Sequence, residues 1–470
     1  LVAIPLASKS DPAEREVVTE ETLINLRAVK APEGARCPFY LNRTPGFTAW
    51  SRCSSDLCRG MFAATSTLAI AVYGSTLFKF NTNGGPTSQG SVSGTGDLRF
   101  AINNAGEVAI VTGTTAYQYD TDAGTLSVIS DNDLPANPID VVSIDGYMLY
   151  LFADRRVFYS AINNADAIDA LDFFTVPGKG DLVAGMVFGN QIIFWGSEDF
   201  QIYNRDPSDA NEPFQLVKGA GKPFGCINTF ANANVGGLIC WVDQYGVVRS
   251  LGAQYLPQQL SNAGVQSDIR DLEDKSEIRL WDYVSGETGF LVVRSSEFTW
   301  VYDFKESRWH NRLSYQRTTW QAKHHMRFAN KDIIAPDQSG DAFYLDDSTH
   351  KEDDRFIVWE FTPRPVTNFP GGGDVNRLDL DIEPGTALGA TAAEEDQMPV
   401  VTMFRSVDAG KTWKTGRQRD LGTRGQWRKQ VSWIQCGDFG REGVMFRFSG
   451  SAGVPHAIMN LAADIKPNSL

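Results

Sequence analysis

The stretch Leu68-Ala69-Ile70-Ala71-Val72-Tyr73-Gly74-Ser75-Thr76-Leu77-Phe78-Lys79-Phe80 carries the reading of the fold. An apolar run of strand length meets a Gly-Ser turn, and a second run comes after it with aromatics at alternate positions. That is a β-hairpin. The same logic returns along the chain. Residues 108–112 pair with 116–119, 146–152 with 157–160, and 191–195 with 200–203. Further on, 238–242 pair with 247–250, 290–293 with 298–302, and 332–334 with 342–345. Each run ends at Gly, Asn or Asp. The hairpins are spaced about 40–50 residues apart, which is the period of a propeller blade. The expectation is an all-β chain whose residues 46–360 form a β-propeller of about six blades, give or take one. A pair of ordinary β-sandwiches is the competing architecture.

Outward from this region the pattern changes on both sides. Residues 1–45 lack strand alternation, and 11–22 are charged. The run 20–26 reads as a short helix or an extended arm, and Pro32, Gly34 and Pro38 break the chain after it. This segment is expected to be an N-terminal arm lying along another surface, with a tight turn at Arg43-Thr44-Pro45-Gly46. On the other side, Pro363, Pro365, Pro370 and Gly371-Gly372-Gly373 mark a linker. Beyond it, 375–383 alternate apolar and charged residues. Strands at 400–406, 425–434, 443–449 and 456–464 complete an antiparallel β-sandwich domain over 361–470.

The chain has 470 residues, 42% of them apolar and 21% charged, which suits a folded protein of two or three domains. Its net charge of −14 repels nucleic acid at long range and argues against a general nucleic-acid binder. The charge is uneven: residues 400–470 hold eleven Lys/Arg against five Asp/Glu. Such a segment is either a basic sandwich face or a contact for an acidic partner or neighbouring subunit. Six scattered cysteines, none in a CxxC pair, read as small buried residues of a protein assembled in a reducing compartment. No run of eighteen apolar residues predicts a membrane span, and residues 1–10 lack the charged start of a secretory signal.

Motifs that carry chemistry are absent. Gly371-Gly372-Gly373 lacks the Lys-Ser/Thr of a phosphate loop, and neither GxGxxG nor GxSxG occurs. His324 and His325 are adjacent, so on a strand they face opposite ways and cannot share a metal; with His310, His350 and His456 they read as surface or interface histidines. Acidic clusters at 268–277 and 351–354 read as solvated loop tips, or as channel walls that keep DNA from sticking. No catalytic residue, cofactor or metal is expected. One motif has a recognisable form: Ser406, Asp408, Gly410, Thr412 and Trp413 stand in the order of an Asp-box hairpin turn, a structural device.

Three ordered stretches carry a resemblance. The first holds Ile4-Pro5-Leu6, Ile24-Asn25-Leu26, Thr44-Pro45-Gly46-Phe47 and Arg59-Gly60-Met61. The second runs from Ile144-Asp145-Gly146-Tyr147 through Lys222-Pro223-Phe224-Gly225-Cys226 to Thr299-Trp300-Val301-Tyr302-Asp303. The third is the Asp-box hairpin with Leu421-Gly422-Thr423-Arg424-Gly425-Gln426-Trp427-Arg428. Together they resemble the packaged-DNA stabilisation protein family, the tail hub or nozzle of short-tailed (podovirus-type) phages. The chain departs from that pattern at Ala409 and at Ile434-Gln435-Cys436-Gly437.

The resemblance implies a virion tail protein assembled in the host cytoplasm: a homo-hexamer below the head-to-tail adaptor that closes the portal channel. Such a ring retains packaged DNA, conducts it during ejection without sequence-specific binding, and supports tailspikes or fibres. A tail needle or plug fills its opening. The N-terminal arm, with Ile4, Pro5, Leu6, Ile24 and Leu26, is the candidate adaptor contact, since arms order on docking. Two other readings compete. A phage depolymerase or sialidase-like glycosidase on a propeller requires a carboxylate pair in a cleft. A receptor-binding or scaffold propeller acting alone predicts a stable monomer.

Overall fold

A computed structural model of the chain describes residues 2–11, 21–209 and 212–468. The hairpins build seven four-stranded antiparallel blades among the described residues. Their first strands are Cys58–Ala63, Arg99–Ile102, Asp140–Ile144, Leu182–Phe188, Asn232–Val235, Arg279–Ser285 and Ala322–Phe328, and the blades are numbered in that order. Ala322–Phe328 of blade 7 packs against Cys58–Ala63 of blade 1, so the sheets close a ring.

The count of seven lies at the upper end of the sequence expectation, and topology explains why one blade was hard to see. Blade 7 has only three local strands. Its outermost strand is Gly46–Arg52, which precedes blade 1 in the chain and pairs antiparallel with Asp341–Asp346. One end of the propeller's chain is thereby clasped to the other.

The second strands show why the hairpins begin with apolar runs. Ala69–Tyr73 and Tyr147–Leu151 are buried at every position, because each blade is a layer with a neighbour on both faces. Two-residue turns join many strands tightly. Asp145 and Gly146, at φ 50° and 86°, form the link between Asp140–Ile144 and Tyr147–Leu151, a conformation that Gly and Asp tolerate better than most residues.

The sandwich has two sheets around one core. In the first, Leu26–Lys30, Phe39–Arg43, Ile458–Pro467, Gly373–Ile382 and Val431–Phe439 lie side by side, with Val2–Ile4 also paired to Ile458–Pro467. In the second, Thr22–Ile24, Trp359–Thr362, Met445–Gly450, Val400–Ser406 and Arg417–Asp420 come in order. This second sheet continues into the propeller, because Thr22–Ile24 runs parallel to Arg308–Asn311, the outer strand of blade 6. Two boundaries differ from the sequence reading. Residues 425–430 form an exposed loop before the strand Val431–Phe439, and Arg417–Asp420 is a strand that the sequence reading did not mark.

The expected N-terminal arm is also redrawn. Most of the charged stretch 11–22 lies outside the described residues, but the flanking strands belong to the sandwich. Ile4, Leu6, Leu23, Leu26 and Leu41 are buried in its core with Trp359, Leu378, Trp433 and Phe448. The physical reason is area: an amphipathic strand pair left free would expose several leucines to water, at about 25 cal/mol per Å².

Candidate functional site

At the propeller axis the residues that start the first strands converge. Asp97, just ahead of blade 2, receives Arg279 of blade 6 at 2.6 Å on one oxygen and Lys323 of blade 7 at 2.8 Å on the other. His324 Nε2 lies 3.5 Å away. Arg99 donates to Asp140 of blade 3 at 2.7 Å, and the second Asp140 oxygen accepts the Gly185 N–H of blade 4 at 2.9 Å. The Arg279 and Arg99 guanidiniums both lie over the Phe230 ring, beside blade 5. Asp97 thus ties blade 2 to blades 6 and 7, Asp140 ties blades 2, 3 and 4, and the Phe230 ring lies between the two clusters. Burial raises the Asp97 carboxyl, but the His324 imidazole and the Arg279 and Lys323 charges outweigh it and hold the group well below the usual carboxylate range.

The joint between propeller and sandwich is built on two residues. Asn25, buried at φ 55°, donates through its side-chain amide to Leu313 O and Val358 O at 2.9 and 2.8 Å and accepts from Leu313 N at 3.1 Å. It therefore bridges the chain leaving blade 6 and the chain entering the sandwich. Arg43 is buried and donates to the carbonyls of Ala452, Val454 and Ile357. Burial lowers its pKa to about 9 despite the opposing charge of Asp396. Thr44-Pro45 then carries the chain directly into Gly46–Arg52 of blade 7.

The Asp-box residues form a closed turn. Ser406 Oγ donates to Asp408 at 2.7 Å and accepts the Gly410 N–H at 3.0 Å. Asp408 accepts the Thr412 N–H at 2.9 Å and the Thr412 hydroxyl at 2.5 Å. These bonds, those from Thr412 foremost, hold the Asp408 carboxyl down at about 2. Trp413 is half-buried under the Arg447 guanidinium, 4.0 Å from its ring centre. Beside the turn lies an open groove of about 560 Å³ lined by Arg405, Trp413, Lys414 and Arg417, with no carboxylate in its lining. Arg417 donates to Ile434 O at 2.7 Å and Gln435 O at 3.2 Å rather than to an acid.

Of the residues marked as an adaptor contact, Ile4, Leu6 and Leu26 face the core of their own chain, Ile24 is half-buried, and Pro5 is exposed. The histidine reading is corrected: His310, His350 and His456 are buried, while His324 and His325 do face opposite ways, toward Asp97 and Asp332. The acidic clusters are also partly built in. Asp268 sits on the helix Ala263–Asp271 and accepts the Trp300 indole N–H at 2.7 Å; buried Glu352 accepts from Gln321 at 2.9 Å. All six cysteines are free, and burial pushes Cys58, Cys226 and Cys240 up to about 12. Asn25 and Asp97 went unmarked because their roles depend on partners up to 333 residues away in the chain. Among the described residues no cluster of three or more His, Cys, Asp or Glu is arranged to hold a metal, and no helix is long and apolar enough to cross a membrane.

Comparison with known proteins places both modules. The family model described as bacteriophage P22 Gp10, β-propeller, matches residues 2–350, and that described as bacteriophage P22 Gp10, β-sandwich, matches 359–466. No curated protein matches the sequence. Solved structures similar to the chain include the WD40 β-propeller domain of Doa1, at 9% identity and TM-score 0.42, covering 64% of this chain and 97% of that one. The computationally designed Ika8 protein is similar at 12% identity and TM-score 0.41, covering 69% and 99%. YCF48 bound to D1 peptide is similar at 12% and 0.41, covering 64% and 97%.

Proposed function

The chain belongs to the bacteriophage P22 Gp10 family, whose propeller and sandwich it carries in that order, and from that premise we propose that it is the tail hub, or nozzle, subunit of a short-tailed phage. It is a phage structural protein and a component of the virion. In the proposed role, six copies form a ring below the head-to-tail adaptor, close the portal channel, retain packaged DNA and release it on ejection. Tailspikes or fibres attach outside, and a needle or plug fills the opening.

The observation that carries this reading is the pair of family matches, which together span nearly the whole chain. Physical features fit the role. A net charge of −14 per copy disfavours adhesion of DNA to the channel. Buried charge clusters across the blades and a sheet continuous from blade 6 into the sandwich join the parts of the subunit, which suits a gate under load. An adaptor contact through the first residues falls to the outward side chains Val2, Ala3 and Pro5, since Ile4 and Leu6 are occupied in the core. We assign no reaction, cofactor or metal.

The test is the mass in solution of the purified chain, alone and with its adaptor, across salt concentrations. A ring of about six copies, formed alone or on the adaptor, is expected. A chain that stays monomeric in every condition overturns the reading.

A further inference from the structure

The blade 2–3 side of the propeller and the outer edge of the sandwich carry opposite charge balances. The sandwich joins the propeller at the rim of blades 6 and 7. In a seven-blade ring, blade 3 is three steps from both, so it lies diametrically opposite. Residues 99–175, which make up blades 2 and 3, contain eleven Asp/Glu against three Arg/Lys. The far end of the sandwich has the reverse balance. Its last strand, Arg417–Asp420, is the free edge of the nine-stranded sheet that begins in blade 6. Around it, Arg405, Lys414, Arg417, Arg419, Arg424 and Arg428 form no ion pair among the described residues.

Both poles also display apolar side chains of a kind that water disfavours. The outer strand of blade 3, Asn164–Thr175, is an unpaired edge of twelve residues. Its pairing to Arg156–Ala161 breaks between Ile168 and Phe173, so the residues between them bulge outward. Asp169 accepts the Leu171 N–H at 2.9 Å and holds the bulge, which leaves Leu171 83% exposed beside Phe173 at 39%. Asp166, Asp169 and Asp172 surround it, and none has a cation partner among the described residues. At the other pole Trp427 is 64% exposed and Ile434 58%. Bulges that re-aim a side chain are features of edges with a task, and an exposed apolar edge invites a partner.

We infer that copies of this chain associate head to tail, with the acidic Leu171 bulge of one copy seated on the basic Trp427–Ile434 edge of the next. The inference rests on the ring reading above. Two different, complementary surfaces make a heterologous contact, which closes a ring when the rotation from copy to copy divides a full turn; like poles repel, which disfavours a two-fold pair. Aromatic and aliphatic anchors would form the contact's core, and the charges would set its orientation and its salt dependence.

The test uses the full chain with two variants, each altered only at exposed side chains: Leu171→Asp at the acidic pole and Arg424→Glu/Arg428→Glu at the basic pole. Under conditions where the wild type forms rings, each variant alone is expected to be monomeric by mass, with an unchanged melting transition. Mixed one to one, they are expected to form dimers, because each retains the pole the other has lost; a misfolded variant could not do so. Rings from either variant at wild-type concentrations, or a mixture of folded variants that stays monomeric, overturn the inference and leave the ring reading standing. A wild type that never assembles overturns the ring reading itself.

Discussion

Asp97 has Arg279 on one oxygen and Lys323 on the other, and its side chain is 7% exposed. Removing one partner of such a buried cluster leaves the others desolvated and unpaired. Asp97→Ala is therefore expected to lower stability by about 3 kcal/mol, read as a lower urea midpoint with an unchanged slope. The buried histidines predict the pH response. Burial first, then nearby Arg charges, bring His310 to about 3 and His350 to about 4, and His456 well below its ordinary value. The unfolded chain takes up these protons near pH 6.5 while the folded chain does not. Stability present above pH 6.5 is thus lost as pH falls toward 4, by about 1.4 kcal/mol per pH unit for each histidine. Urea midpoints measured at pH 8 and pH 5 check this, and His350→Asn is expected to flatten the dependence. Ala409 and Gln435, where the sequence departs from the family pattern, sit at φ 56° and 54°. Ala409→Gly relieves the first and is expected to raise stability by up to about 1 kcal/mol in the same measurement.

At the scale of elements, the strand Gly46–Arg52 decides whether the ring is closed. Phe47 on this strand is 1% exposed and packs on Phe343 with ring centres 4.8 Å apart. A Cβ on Gly46 would meet Lys351 O at 2.2 Å, so the start of the strand admits only glycine at this close approach. Phe47→Ala is expected to cost about 3–5 kcal/mol and to raise protease sensitivity in blades 7 and 1 before the other blades. The local hairpins were legible because they need only a turn and two apolar runs. The clasp was not, because nothing in residues 46–52 reveals a partner some 290 residues later.

For the whole molecule, the two modules depend on each other. The sandwich core takes Leu23, Leu26, Ala28 and Leu41 from the chain segment ahead of the propeller. A fragment of residues 359–470 is therefore expected to be insoluble or unfolded alone, and to gain β-structure by circular dichroism when a peptide of residues 1–45 is added. A fragment that folds by itself would show that the N-terminal strands only decorate the sandwich. The same interdependence predicts a single unfolding transition for the full chain rather than one per module.

What the sequence determined by itself was whatever local physics can write: alternating and apolar runs, turn residues, the break after 361, the Asp-box turn, and a charge balance that reverses toward the C-terminal end. Those are properties of neighbours along the chain, and they sufficed for an all-β propeller followed by a sandwich. Only the tertiary structure decided that residues 22–43 belong to the sandwich, that blade 7 is closed by residues 46–52, and that Asp97, Arg279 and Lys323 meet at the axis. It alone set the acidic bulge of blade 3 opposite the basic sandwich edge. The reason is that each of these joins segments far apart in sequence: burial of shared apolar area and pairing of desolvated charge select such partners, and neither leaves a local pattern to read.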